Sequence, residues 1–181
     1  MDFTHDTVVA LQAATALVNS AEEPDTLTEV ADLDAVWDEF GYTGRRDGDV
    51  AELEAVRALR PALRSLLTAE RDEAAPMVNT LLAEAGAVPR LARHGEWDWH
   101  LHAIDDDRPL PDRIAVETAM AMIDVIRADE LSRLALCAAD GCEGLVLDLS
   151  RNRSRRFCST ACTNREAAAA YRARQRATPT G

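Results

Sequence analysis

The sequence contains no lysine: all twenty of its basic residues are arginine. A GC-rich genome produces that bias unaided, so it is not read as selection for phosphate binding. No apolar run approaches the roughly 20 residues that a membrane-crossing helix needs. The absence predicts a soluble, cytoplasmic protein with no membrane partner. The first twenty residues also lack the basic start of a secretory leader, because acids and a histidine precede their apolar part. Disulfides, which belong to secreted chains, are therefore not expected. No Gly-rich phosphate loop or nucleophile elbow is present. The expectation is a protein that is not an enzyme. Internal repeats are missing, and the only low-complexity piece is Ala167 to Ala170.

What is present bounds the answer further. The chain has 181 residues and an ordinary hydrophobic fraction of 47%, enough for one domain and a small module. Its net charge of −12 hides an asymmetry. From Ser150 to Gly181 there are eight arginines against one acid, Glu166, a net +7, which leaves −19 on residues 1–149. A basic tail on an acidic body attracts polyanions at one end and repels them elsewhere.

Apolar residues recurring at three and four predict helices over most of the body. One runs from Thr7 to Val18 and stops at Asn19-Ser20, with Pro24 beyond. A second starts near Asp32, places Leu33, Val36, Trp37 and Phe40 on one face, and ends at Gly41. A third spans Asp49 to Thr68, and Pro61 inside it predicts a kink or a break. A fourth covers Glu73 to Ala85. The period then changes to two. Residues 88–94 and 96–102 flank Gly95 as a β-hairpin that buries Trp97, Trp99 and Leu101 and turns Asp98, His100 and His102 to solvent. Two His and one Asp at that spacing are also a conceivable metal set, but a solvated strand face is the commoner outcome. His5, Asp6 and His94 add no defined geometry, and Asp105 to Asp107 reads as a solvated loop. Asp112 is positioned to cap a helix to Ala128 that faces Ile114, Ala115, Thr118, Met122, Ile123 and Ile126 inward. A short helix over Glu130 to Leu136 leads into the tail.

All four cysteines of the chain lie in one window, as Cys137-x4-Cys142 and Cys158-x3-Cys162, fifteen residues apart. Two close pairs separated by a hairpin-sized gap suit one structural zinc. Four thiolates close its tetrahedron and leave no position for a catalytic water. The knuckle Cys137 to Cys142 has Gly141 for a left-handed turn. A hairpin of Gly144 to Leu149 with Arg153 to Phe157 follows. Ser159 or Thr160 then caps a helix to about Arg176, with Cys162 in its first turn, and Thr178 to Gly181 frays. That order is treble-clef-like.

The run from Leu136-Cys137 through Cys142, Leu147 to Ser159, Cys162-Thr163-Asn164-Arg165 and Tyr171 to Arg174 resembles the bacterial CGNR zinc-finger proteins. The body upstream, with Leu17-Val18-Asn19-Ser20 near its start, resembles their N-terminal ABATE domain, described as a stress-induced transcription regulator. Thr163 stands where the family name has Gly. The resemblance implies DNA binding and transcriptional control.

The candidate contacts to nucleic acid are Arg151, Arg153, Arg155 and Arg156 near the hairpin turn, and Asn164, Arg165, Arg172, Arg174 and Arg176 on the last helix. Residues 151, 153 and 155 share one face if the strand is regular. Arg165 and Asn164 have the chemistry to read guanine and adenine edges. The alternative is that Arg165 holds a carboxylate and Asn164 the knuckle loop, a role to which Asn164 is at least as well suited. The fold expected is mainly α with a small hairpin: a helical domain over 1–130 and a zinc finger over 131–181. The function expected is regulation through duplex DNA. A small-molecule ligand or a second copy would engage the helical domain. The alternative is a protein- or RNA-interaction module docking on an acidic partner.

Overall fold

The computed structural model describes residues 3–94 and 97–177, which fall into two compact units divided between Ser132 and Arg133. The fold class is the expected one, mainly helical with small two-stranded hairpins. Among the described residues no helix is long and apolar enough to cross a membrane.

The first unit is built from α1 (His5–Asn19), α2 (Val30–Phe40), α3 (Val50–Thr68), α4 (Arg71–Glu84), the strands β1 (Arg90–His94) and β2 (Trp97–His102), and α5 (Leu110–Arg127). Helix α5 packs on α1, α3 and α4. Their apolar faces bury Leu11, Leu17, Leu53, Val56, Leu63, Leu66, Ile114 and Met122. Each such side chain removed from water contributes about 1.5–3 kcal/mol. Asp49 caps α3 by accepting the Glu52 N–H at 2.9 Å. The buried Glu52 carboxylate in turn accepts the Asp47 and Gly48 N–H groups at 3.1 and 2.9 Å. Gly41 ends α2 in the left-handed conformation (φ 65°).

Ser20 and Asp25, in the connection after α1, are gripped from α3. Arg60 reaches both Asp25 oxygens, at 3.0 and 2.8 Å, and the Ser20 hydroxyl at 3.1 Å. Helix α3 is continuous through Pro61. The hydrogen bond lost at the proline is outweighed by buried Val56, Arg60, Leu63 and Leu66 on either side of it.

Three local expectations are corrected. Helix α5 starts at Leu110, not at Asp112, because Leu110 is itself buried; Asp112 falls in the first turn and takes Arg108 at 3.1 Å. Helix α5 also buries a broader face than expected, adding Val116, Ala119, Ala121 and Val125, while Ala115, Ile123 and Ile126 are only half-buried. The segment expected as a helix over 130–136 is one 3-10 turn, Leu131–Arg133, followed by the strand β3 (Leu134–Leu136).

Strands β1 and β2 pair antiparallel as predicted, with Arg90 opposite His102 and Ala92 opposite His100. Their faces are reversed. Trp99 (63%) and Leu101 (46%) are exposed, while His100 and His102 are half-buried, their Nε2 atoms 2.9 Å apart. The alternation is right, but aromatic and imidazole rings are both amphipathic, so the pattern alone does not orient the strand. The turn at Gly95-Glu96, the Trp97 ring and the tail from Thr178 lie outside the described residues.

The second unit holds β3, β4 (Leu145–Leu147) and α6 (Thr160–Ala177). Here too the pairing differs from expectation. Strand β4 pairs with β3, Leu134 opposite Leu147 and Leu136 opposite Leu145, and residues 153–157 are irregular. The Asp148 carboxylate explains the change. It accepts the Ser150 N–H at 2.8 Å and the Arg155 N–H at 2.7 Å, pinning the chain into a turn that passes through a left-handed Arg153 (φ 47°). A short core of Cys137, Ala139, Val146 and Cys162, backed by Phe157, closes the unit.

Candidate metal centre and basic surface

The β3–β4 hairpin carries the first cysteine pair in its connection. Cys137 follows β3, and its N–H donates to the Gly144 carbonyl at 2.7 Å. The loop returns through Gly141 (φ 66°), and the Cys142 N–H donates to the Ala139 carbonyl at 3.1 Å. The second pair stands at the start of α6. Ser159 caps that helix by accepting the Cys162 N–H at 3.2 Å, which fixes Cys162 in the first turn.

The four sulfurs lie within 4.8 Å of one another. Cys142 and Cys158 are 3.6 Å apart, Cys158 and Cys162 3.7 Å, and Cys142 and Cys162 3.6 Å. A tetrahedron with Zn–S arms of about 2.3 Å has edges of about 3.8 Å. A disulfide would need about 2.05 Å. The spacing fits one ion at the centre and no S–S bond.

The surroundings of the sulfurs are those of thiolates. The Cys158 N–H points to the Cys137 sulfur at 3.4 Å and the Gly144 N–H to the Cys142 sulfur at 3.4 Å. Arg165 Nη2 lies 3.7 Å from the Cys162 sulfur. Burial pushes the Cys137 thiol up, but the N–H groups of Ala139 and Cys158 and the neighbouring thiols reverse this and hold it at about 7. Burial and the three neighbouring sulfurs push the Cys158 thiol up to about 12. Without a cation the four cannot all ionise; a divalent ion removes that conflict. Gly144 completes the cradle: a Cβ there would meet the Cys158 sulfur at 2.7 Å.

The arginines divide into two groups. Arg155, exposed like its neighbours, folds back on the backbone, donating to the carbonyls of Phe157, Leu147 and Cys158 at 3.3, 3.5 and 3.2 Å. Arg165 donates to the Asp140 carbonyl at 3.2 Å, and Glu166 accepts the Asp140 N–H at 3.2 Å, so α6 clasps the knuckle from both sides. Arg151, Arg153 and Arg156 are exposed on the turn, Arg156 lying 5.7 Å from the Phe157 ring. With no strand over 153–157, residues 151, 153 and 155 do not form a common strand face. Asn164 is exposed, as are Arg172, Arg174 and Arg176 along α6. Thr163 turns its hydroxyl back to the Ser159 carbonyl at 3.1 Å. Sequence reasoning missed Asp148 and Arg133. The Arg133 guanidinium holds the Asp148 and Ser150 carbonyls at 2.9 and 3.2 Å. The Asp-x-Ser spacing at residues 148–150 is the signal that a local carboxylate turn was present.

A short hairpin and one helix around four convergent cysteines define a small zinc finger, here following a helical unit. The family models agree. Residues 133–175 match the CGNR zinc finger. Residues 11–142 match ABATE, described as "Putative stress-induced transcription regulator", and the chain belongs to that family. The finger's four close cysteines can hold one metal ion, in keeping with one structural zinc. Both families are regulatory or zinc-finger domains and not enzyme families. No curated protein matches the chain.

Proposed function

We propose that the chain is a cytoplasmic regulator of transcription that binds duplex DNA through its finger and acts by binding rather than catalysis. Cys137, Cys142, Cys158 and Cys162 hold one zinc, which supplies the folding energy that so small a core lacks. Arg151, Arg153, Arg156, Arg172, Arg174 and Arg176 contact phosphates, with Asn164 at the start of the helix nearest the bases. Arg155 and Arg165 act one step removed, by holding the finger in shape. The helical unit takes a small ligand or a second copy of the chain.

The observation that carries this reading is the exposure of α6. From Ala167 to Arg176 every residue is exposed, and three of them are arginines in a segment of net charge +7. The test is fluorescence anisotropy of a labelled duplex with the zinc-loaded full chain across a salt series. Affinity should fall with a log–log slope of about 0.9 per phosphate neutralised. No binding at low salt would overturn the reading. Tighter binding to RNA or to an acidic protein would replace it with the interaction-module alternative.

A further inference from the structure

The helical unit contains a cavity of about 280 Å³ between α1, the turn after α2, β2 and α5. Its size is at the lower edge of the range for small-molecule sites, roughly 300–1,000 Å³. Val9, Phe40, Met120 and Ile123 supply apolar wall. Into the same space face Tyr42 and Glu117, neither of which has a hydrogen-bond partner for its side chain among the described residues.

The cation that acts on Glu117 is Arg113, and it is committed elsewhere. Its guanidinium donates to the carbonyls of Thr43 and Arg45 and, at 3.1 Å, of Arg108. Desolvation pushes the Glu117 carboxyl up to about 7, against the pull of Arg113, with Asp106 adding to the rise. A desolvated acid left without a partner costs free energy, and such groups mark places where a ligand supplies the partner.

The lining also shows the sign of that ligand. Asp6, Glu117 and Asp124 face the cavity against one guanidinium, Arg127. Asp6 accepts the Leu101 N–H at 3.4 Å as well as groups of its own helix start, Thr4 and Thr7, and Asp124 accepts the Thr7 hydroxyl at 2.6 Å. An adjoining groove shares Asp6, His100, Leu101 and Asp124 and adds the exposed Trp99 and Leu91. Carboxylates interleaved with aromatic and aliphatic surface are the chemistry that recognises an organic cation.

We propose that this cavity binds a small apolar amine, its ammonium seated between the Glu117 carboxylate and the Tyr42 hydroxyl and its hydrocarbon part against Phe40 and Met120. This deepens the ligand-binding part of the reading above. It stands on the helical unit alone, so a failure of DNA binding leaves it intact, and its own failure leaves the finger's role intact.

The test is titration calorimetry of the full chain with 2-phenylethylamine, 2-phenylethanol and 3-phenylpropionate at pH 7. The amine should bind saturably and at least about tenfold more tightly than the other two. Repeating it in buffers of different ionisation enthalpy should show release of up to about half a proton, because the ammonium favours the ionised Glu117. Binding should weaken towards pH 5 as Glu117 protonates. The other charged or titratable groups around Glu117 are Asp6, Asp106, Asp124, His100, His102, Arg113 and Arg127. Glu117→Gln should lower amine affinity at least about tenfold. Tyr42→Phe, which removes one oxygen only, should lower it less and serves if the first variant fails to fold. No saturable binding of the amine, equal binding of the alcohol, or unchanged affinity in a folded variant of Glu117 would overturn the proposal.

Discussion

Replacing Gly144 by alanine tests the metal centre without touching a cysteine. Gly144 is glycine for lack of space, not for backbone conformation. Its N–H serves the Cys142 sulfur and its carbonyl takes the Cys137 N–H. An added Cβ would lie 2.7 Å from the Cys158 sulfur, 3.1 Å from the Cys158 Cβ and 3.4 Å from the Cys142 sulfur. Ordinary contact begins near 3.5 Å, so the Cys158 sulfur must retreat by roughly 0.8 Å. Metal–ligand distances tolerate only about 0.2 Å. A methyl group has no rotamer in which to escape, and Cys158 is tethered through its N–H to the Cys137 sulfur. Disturbing groups that merely support a ligand costs about 10–100-fold in metal affinity. Displacing the ligand itself should cost about 100-fold or more, close to 2.7 kcal/mol. Gly141→Ala is the matched control. Gly141 has φ 66°, and a methyl group added there would meet nothing within 4 Å, so alanine adds only backbone strain, about 1–2 kcal/mol. The assay is zinc competition against a chromogenic chelator with the full chain. If Gly144→Ala holds zinc as tightly as the parent, or Gly141→Ala loses more, the account of the cradle is wrong.

Two further outcomes follow from the described contacts. Arg155→Ala should lower the zinc-loaded finger's resistance to proteolysis, because it removes three carbonyl contacts, whereas Arg172→Ala should leave resistance unchanged and flatten the salt slope of DNA binding by about one unit. Asp25→Asn should destabilise the helical unit by about 1–2 kcal/mol at pH 7, measured by urea unfolding followed by circular dichroism. The hydrogen bond from Arg60 holds the Asp25 carboxyl well below the usual carboxylate range, so its stabilisation is complete above about pH 4 and is lost as pH falls through the folded-state value; the variant should show a shallower acid limb.

The parts legible in the sequence were those with a period or an exclusive residue type. Leu53, Val56, Leu63 and Leu66 repeat at helical spacing, and the structure buries all four in α3. Cysteine occurs nowhere else, so the convergence of the four sulfurs was readable from spacing. Strand β3 was not, because three residues are too few to show a period, and Leu134 to Leu136 is equally apolar in either conformation. The grip of Arg155 on the backbone depends on where the Leu147, Phe157 and Cys158 carbonyls point, which only the folded chain determines. Glu117 sits half-buried on an amphipathic helix, and nothing in its neighbours along the chain separates it from a solvated acid.

The exposed stretch of α6 has a thermodynamic consequence. From Ala167 to Arg176 no residue of that helix is buried, so these turns draw no stability from a core. Isolated helices shorter than about 12–15 residues are marginal in water. The run Ala167 to Ala170 and the arginines after it are among the strongest helix formers, which brings the segment close to balance without a partner. The affinity of any partner that docks on α6 would then be set partly by residues that never touch it. Each alanine reduces the ordering entropy that binding must otherwise supply, and the grip of the tail weakens with temperature as the helix loosens, even where every contact at the interface is unchanged.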